Sequence, residues 1–409
     1  MTASIPLGAL SPEEFLRDYW QKRPLLIRNA IPGFESPISP EELAGLACEE
    51  EINARLILER GGRKPWEVRH GPFSEELFMT LPEDGYSLLV TDCEKAVPEL
   101  MEIVQAFRFV PDWRIDDLMI SYAPPGGSVG AHIDQYDVFL LQAHGTRKWM
   151  IESRPRPEVY VPGLDVRILE TFEPDEEWLL EPGDLLYLPP GIPHHGVALT
   201  PCMTWSIGFR APRAVDVVSG VADMLIDRLD PAALYTDPDR SLQDNPGALA
   251  AADLARFRRQ VREALTADDD LIDRLIARVL TDRRVDLAPF YPGNEPMDTE
   301  LLGALLEAGH QLMRTPAVRM ALVENGAGAF LMVDGEETRL CERTRPLAEY
   351  LTRSVFLDSE RLLAALEDEE AGIMLAALYA HGALMWVDPT ALEDALEDEV
   401  DAPDDGGED

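Results

Sequence analysis

Two short segments of this chain carry side chains that could hold a metal ion. The first is Ala131-His132-Ile133-Asp134, and the second runs from Gly183-Asp184 to Ile192-Pro193-His194-His195. Together they offer two imidazoles and one carboxylate. In a strand, residues two apart point to the same face, so His132 and Asp134 can grip one ion. One of His194 or His195 completes the set. Two histidines and one carboxylate on one face of an iron(II) leave the opposite positions open. Open positions are what an oxygen-activating iron needs: one for dioxygen and two for a chelating co-substrate.

The second segment also predicts its own scaffold. Glu181-Pro182-Gly183-Asp184 reads as a turn and Leu185 to Leu188 as an apolar strand, and Pro189-Pro190-Gly191 re-aims the chain to deliver a histidine. From Asp117 to Phe209 the chain is a series of short β-rich runs separated by Gly, Pro and Asp. This predicts an antiparallel barrel of the double-stranded β-helix, or cupin, type.

The run from Leu118 to Phe139, with Gly145-Thr146-Arg147-Lys148-Trp149 and Ser206-Ile207-Gly208-Phe209-Arg210-Ala211-Pro212, resembles the JmjC-type ribosomal oxygenases. Trp20-Gln21-Lys22-Arg23-Pro24-Leu25-Leu26-Ile27 is similar to the family's N-terminal entry. These motifs are dense in the first half of the chain; the later half matches by length and layout. The resemblance implies iron(II) as the metal and 2-oxoglutarate and dioxygen as co-substrates. It implies His194 as the third ligand beside His132 and Asp134, with His195 outside the ligand set. It also implies β(C3)-hydroxylation of an arginine on a large-subunit ribosomal protein of the L-sixteen type.

A 2-oxoglutarate co-substrate needs a cation for its distal carboxylate. Arg147 and Lys148 follow a turn and lie on opposite faces of a strand, so only one of them points inward. Arginine clamps a carboxylate with two parallel hydrogen bonds, and the resemblance also puts the clamp at Arg147, with Ser121 adding a hydroxyl. Strand alternation then puts Asp117, Met119 and Ser121 on one face. A carboxylate there suits a guanidinium substrate, with Tyr136 stacking on its plane and Ser206 adding a hydrogen bond. The competing expectation has Asp117 capping a turn and Met119 in the core. His144 is expected to be exposed in a hairpin turn; His70, His310 and His381 lack a ligand pattern.

The chain has 409 residues, enough for two or three domains, and 46% hydrophobic residues, enough for packed cores. No stretch is long and apolar enough to span a bilayer. The N-terminus lacks the basic and apolar regions of a secretory signal, so a cytoplasmic location is expected. The four cysteines (Cys48, Cys93, Cys202, Cys341) have no metal-type spacing. A net charge of −40 disfavours direct binding of DNA or bare RNA and favours a basic protein partner. A salt-adapted, generally acidic proteome would give the same charge.

Residues 1–212 are expected to form the JmjC/cupin catalytic domain. Ser11 and Ser39 cap two of its helices, each followed by Pro and two acids, and Val97 to Phe107 has helical apolar spacing. Residues 213–290 carry helical stripes (215–229, 247–265, 269–280) expected to form a homodimer face. Residues 291–388 read as a winged-helix-like domain with a hairpin at Asp334-Gly335. Residues 389–409 form an acidic tail expected to be disordered. The overall expectation is an α+β protein. The alternatives to an arginine hydroxylase are a histidyl hydroxylase of another ribosomal protein, a demethylase, and a non-catalytic cupin binding module.

Overall fold

The computed structural model of the chain describes residues 5–59, 66–154, 157–290 and 293–387. The acidic tail and the Tyr291-Pro292 junction lie outside them. Both serine caps form as capping boxes: Ser11 accepts from Glu14 N–H and Ser39 from Glu42 N–H, and each glutamate side chain returns a bond to its cap.

The first half folds as two antiparallel sheets. The strands, in chain order, are β1 (Leu25–Ile27), β2 (Ala54–Glu59), β3 (Trp66–His70), β4 (Tyr86–Val90), β5 (Ile115–Ala123) and β6 (His132–Ile133). They continue with β7 (Asp137–His144), β8 (Arg147–Ile151), β9 (Glu176–Leu180), β10 (Leu185–Leu188), β11 (Pro193–Ala198) and β12 (Cys202–Phe209). The larger sheet has the order β1-β10-β7-β12-β5-β4-β2-β3, and the smaller β6-β11-β8-β9. This is the expected double-stranded β-helix.

Period-two alternation decides which residues line the barrel. On β7, Phe139 and Leu141 pack outward into the main core, while Val138 and Leu140 face the second sheet with Trp149, Ile151, Leu186 and Leu188. Both faces are buried, which is why β7 and β10 read as continuous apolar runs. On β5, Leu118 and Ile120 join the outer core, as Trp205 and Ile207 do on β12. The intervening residues of these two strands face the barrel interior. The Val97–Phe107 segment is not one helix. It is broken into Pro98–Leu100, Met101–Val104 and Gln105–Phe107, of which the first and last are 3-10 turns.

Three helices follow the barrel: Ala214–Ile226, Ala251–Ala264 and Asp269–Thr281. Gly220 lets the first approach the third; a Cβ there would come within 2.7 Å of Val279. Val215, Val218, Ile226, Phe257 and Val261 remain exposed on the first two. The third also packs on a three-stranded sheet of β14 (Met320–Asn325), β15 (Gly328–Val333) and β16 (Glu336–Arg339). A two-stranded sheet pairs β13 (Leu312–Arg314) with β17 (Leu384–Trp386). Asp334 and Gly335 both have positive φ, as the tight β15–β16 hairpin requires. Helices Thr299–Glu307, Arg345–Arg353, Ser359–Leu366 and Glu369–Ala380 complete this winged-helix region. It docks on the barrel through Arg314–Asp112 (2.8 Å) and Arg319–Asp116 (3.4 Å).

Candidate metal and co-substrate site

His132 and His194 are far apart in sequence but directly paired in register across β6 and β11. Their ring centroids lie 4.2 Å apart. Asp134 Oδ2 is 4.0 Å from His132 Nε2 and 3.5 Å from His194 Nε2. One ligand atom from each residue lies within 4.8 Å of the others, the only such grouping of histidine, cysteine and acidic side chains among the described residues.

Backbone carbonyls fix both rings. His132 Nδ1 lies 3.0 Å from Gly130 O and His194 Nδ1 lies 2.9 Å from Ile192 O. A carbonyl only accepts, so each Nδ1 carries the proton and each Nε2 lone pair faces Asp134. Burial, with His132 alongside, lowers the His194 pKa to about 4, so the ring is neutral at physiological pH. A divalent metal takes neutral imidazoles and a carboxylate, so the donor set suits one. His195 points the other way: its Nε2 meets Ser128 Oγ at 2.8 Å and its ring meets Phe172 edge-on.

Asp134 and both paired histidines line a cavity of about 680 Å³ that runs between the sheets. Arg147, on β8, lies in its wall and is 2% exposed. Its Nη2 donates to Gly196 O at 3.2 Å, and its guanidinium lies over the Trp149 ring. Nε and Nη1 are buried with no hydrogen-bond partner among the described residues. Burial pushes the Arg147 pKa down. An unpaired buried guanidinium is costly unless an anion joins it, and either free donor can form a carboxylate fork with the second N–H of Nη2. Lys148 points outward to Glu177 at 3.5 Å.

Ser121 lines the same wall and donates to Thr204 O at 3.2 Å. Asp117, Met119, Tyr136 and Ser206 also line the cavity. Asp117 does not cap a turn; it sits inside β5. Burial, and next the fully enclosed Glu94, raise its pKa to about 7. His144 ends β7 and is exposed, as expected.

Several lining residues went unread in the sequence. Thr204 alternates with Ser206 on β12 and pairs with Ser121, a period-two signal that could have found it. Arg55 approaches Met119 Sδ at 4.0 Å from β2, two strands away in the same sheet. Arg319 reaches the cavity from the winged-helix region, and Ile168 from the β8–β9 connection. No local pattern marks these three.

Residues 102–217 match the family model of the JmjC domain, and residues 264–385 that of a ROXA-like winged helix. Ribosomal protein uL16 3-hydroxylase of Escherichia coli is 37% identical over 372 residues, covering 90% of this chain and 96% of that protein. A probable ribosomal oxygenase of Haemophilus influenzae is 34% identical over 308 residues, covering 73% and 75%. The solved structure of E. coli ycfD superposes with a TM-score of 0.79 at 34% identity, covering 93% of this chain and 99% of that one. E. coli YcfD in complex with cobalt and 2-oxoglutarate superposes at 0.77, with 34% identity and the same coverage. A JmjC domain followed by a ROXA-like winged helix, and 37% identity to that hydroxylase over 90% of the chain, make this chain a member of the JmjC ribosomal oxygenases.

Proposed function

We propose that this protein is an iron(II)- and 2-oxoglutarate-dependent hydroxylase that oxidises C3 of an arginine in ribosomal protein uL16. One observation carries the reading. The His132–Asp134–His194 donor set and the unpaired guanidinium of Arg147 face one cavity. A non-catalytic cupin module needs neither. The relative named as a uL16 3-hydroxylase supports the substrate.

In this reading His132, Asp134 and His194 hold the metal. Arg147 clamps the distal carboxylate of 2-oxoglutarate and Ser121 adds its hydroxyl. When bound, iron(II) with 2-oxoglutarate and dioxygen supplies the oxidation, releasing succinate and carbon dioxide. The rest is the work of the chain. Asp117 receives the substrate guanidinium, and that pairing favours its ionised form against the burial that opposes it. Tyr136, half-exposed at the cavity wall, stacks on the guanidinium plane, and Ser206, facing Met119 across the strands, donates or accepts beside it. These contacts fix which carbon of the target lies nearest the metal. Asp117 favours arginine over histidine as the target, because a guanidinium is always charged.

The exposed apolar residues of helices Ala214–Ile226 and Ala251–Ala264 support a homodimer through this region. None of the described helices is long and apolar enough to cross a membrane, and a ribosomal protein substrate implies work in the cytoplasm.

Succinate release tests the reading. Purified enzyme with iron(II) and 2-oxoglutarate should release succinate faster when uL16 is added. No stimulation by uL16 would reject it as the substrate.

A further inference from the structure

The dipeptide His194-His195 uses both faces of β11. His194 points into the cavity, where it is 2% exposed and held by packing and by Ile192 O. His132 is less confined, with its side chain 24% exposed. Among the described residues the ring's one hydrogen bond is Nδ1 to Gly130 O, 3.0 Å, while the backbone beyond it is held by the β6–β11 pairing and by Leu169 N–H to Ala131 O. The direction of that ring therefore depends on the orientation of the Gly130 carbonyl.

Gly130 has a φ of +80°, a conformation few other residues adopt. Nothing in glycine itself holds it there. Ser128 Oγ accepts from Gly130 N–H at 3.0 Å and meets His195 Nε2 at 2.8 Å. The Gly130 bond uses a lone pair of the hydroxyl, so the hydroxyl proton is free to go to His195 Nε2. Ser128 is 3% exposed, so water does not compete. The same loop is sewn to the end of β11 by Gly126 N–H to Ala198 O (2.8 Å) and Ala198 N–H to Gly127 O (3.0 Å). These backbone bonds anchor residues 126 and 127. They do not reach Gly130; Ser128 does.

We propose that His195 and Ser128 are positioning residues that act in series, fixing the Gly130 backbone and through it the metal-binding ring of His132. This rests on the metal-site reading above. The strand that supplies one histidine ligand inward thus orients the other histidine ligand from its outer face. Direct partners of ligating histidines change metal affinity about ten- to hundredfold when lost; Ser128 and His195 act one and two contacts further out, so the lower end, about tenfold, is expected.

The test is cobalt(II) titration of the full-length protein without substrate, followed by the visible spectrum of the bound ion. The parent should bind. His195→Ala and Ser128→Ala should each weaken binding by up to about tenfold and alter the spectrum, with the metal-free melting temperature retained. His195→Gln puts an amide near the Nε2 position and should restore much of the affinity. Because the two groups act in series, the double variant should lose no more than the weaker single variant. Parent-like affinity and spectrum in both single variants would overturn the proposal, as would additive losses. If one single variant loses its fold, the other decides: weakened cobalt binding with an altered spectrum supports the series, and parent-like binding and spectrum refute it. A parent that binds no cobalt would instead overturn the metal-site reading, and this proposal with it.

Discussion

Arg147→Met removes the proposed carboxylate clamp while keeping much of the side-chain volume. Its Nε and Nη1 are buried and unpartnered, so one edge of the guanidinium, completed by the second N–H of Nη2, can offer 2-oxoglutarate a forked pair of charge-assisted hydrogen bonds. Such bonds contribute about 1.5–3 kcal/mol each. Losing two weakens co-substrate binding by about 3 kcal/mol or more, over a hundredfold at about 1.4 kcal/mol per decade. The stability effect has the opposite sign. Without co-substrate the parent keeps an unpaired charge buried, so Arg147→Met should melt no lower than the parent in the absence of 2-oxoglutarate. Adding 2-oxoglutarate should raise the melting temperature of the parent and hardly that of the variant. Arg147→Lys keeps the charge but not the fork, and should recover only part of the affinity. The assays are the 2-oxoglutarate KM from succinate release and melting with and without the co-substrate. An unchanged KM in Arg147→Met would refute the clamp.

Gly196→Ala should raise the 2-oxoglutarate KM while leaving metal binding intact, because the new methyl would sit 2.6 Å from Arg147 Nε; an unchanged KM would show that the guanidinium adapts. Asp117→Ala should weaken binding of a uL16 peptide about ten- to hundredfold, while slow peptide-independent 2-oxoglutarate turnover persists; equal loss of both would remove Asp117 from substrate reading. In the parent the peptide KM should fall as pH rises through about 7, because the guanidinium needs ionised Asp117, and Asp117→Asn should flatten that profile. The same shift means that ionised Asp117 destabilises the substrate-free fold, a loss that grows as pH rises above 3.8 and levels beyond about 7. Val218→Asp combined with Phe257→Asp should give monomers by light scattering; a parent that is already monomeric at micromolar concentration would refute the dimer.

The barrel was legible because its signals are local. His132-x-Asp134 reads as one strand face by period two and the two side chains do converge, although β6 stops at Ile133, and Gly183-Asp184 followed by Pro189-Pro190-Gly191 marks where the strand starts and where the chain turns. The alternation Asp117, Met119, Ser121 carried through to the cavity wall, and Asp334-Gly335 made the expected hairpin. The spacing alone left His194 and His195 open; the cross-strand register of His194 with His132 separates them. Other features were not legible. Helix Glu369–Ala380 buries one face (Ala371, Met374, Leu375, Leu378, Tyr379), but its exposed positions Ile373 and Ala377 are apolar too, so the sequence carries no amphipathic contrast to find. Strands β13 and β17 are three residues each and distant in sequence, so neither carries a pattern without the other. The Val97–Phe107 spacing suggested one helix, but only Met101–Val104 is an α turn, flanked by the 3-10 turns Pro98–Leu100 and Gln105–Phe107. Arg319 enters the cavity only because the winged-helix region docks through its ion pair with Asp116.

Mass spectrometry of uL16 incubated with the purified enzyme, iron(II) and 2-oxoglutarate tests the central claim most directly. The account predicts the gain of one oxygen atom on a single arginine, lost when iron(II) is withheld or His194 is replaced by alanine. An unmodified uL16 beside an enzyme that binds both metal and 2-oxoglutarate, or an oxygen added to a histidine instead, would contradict it.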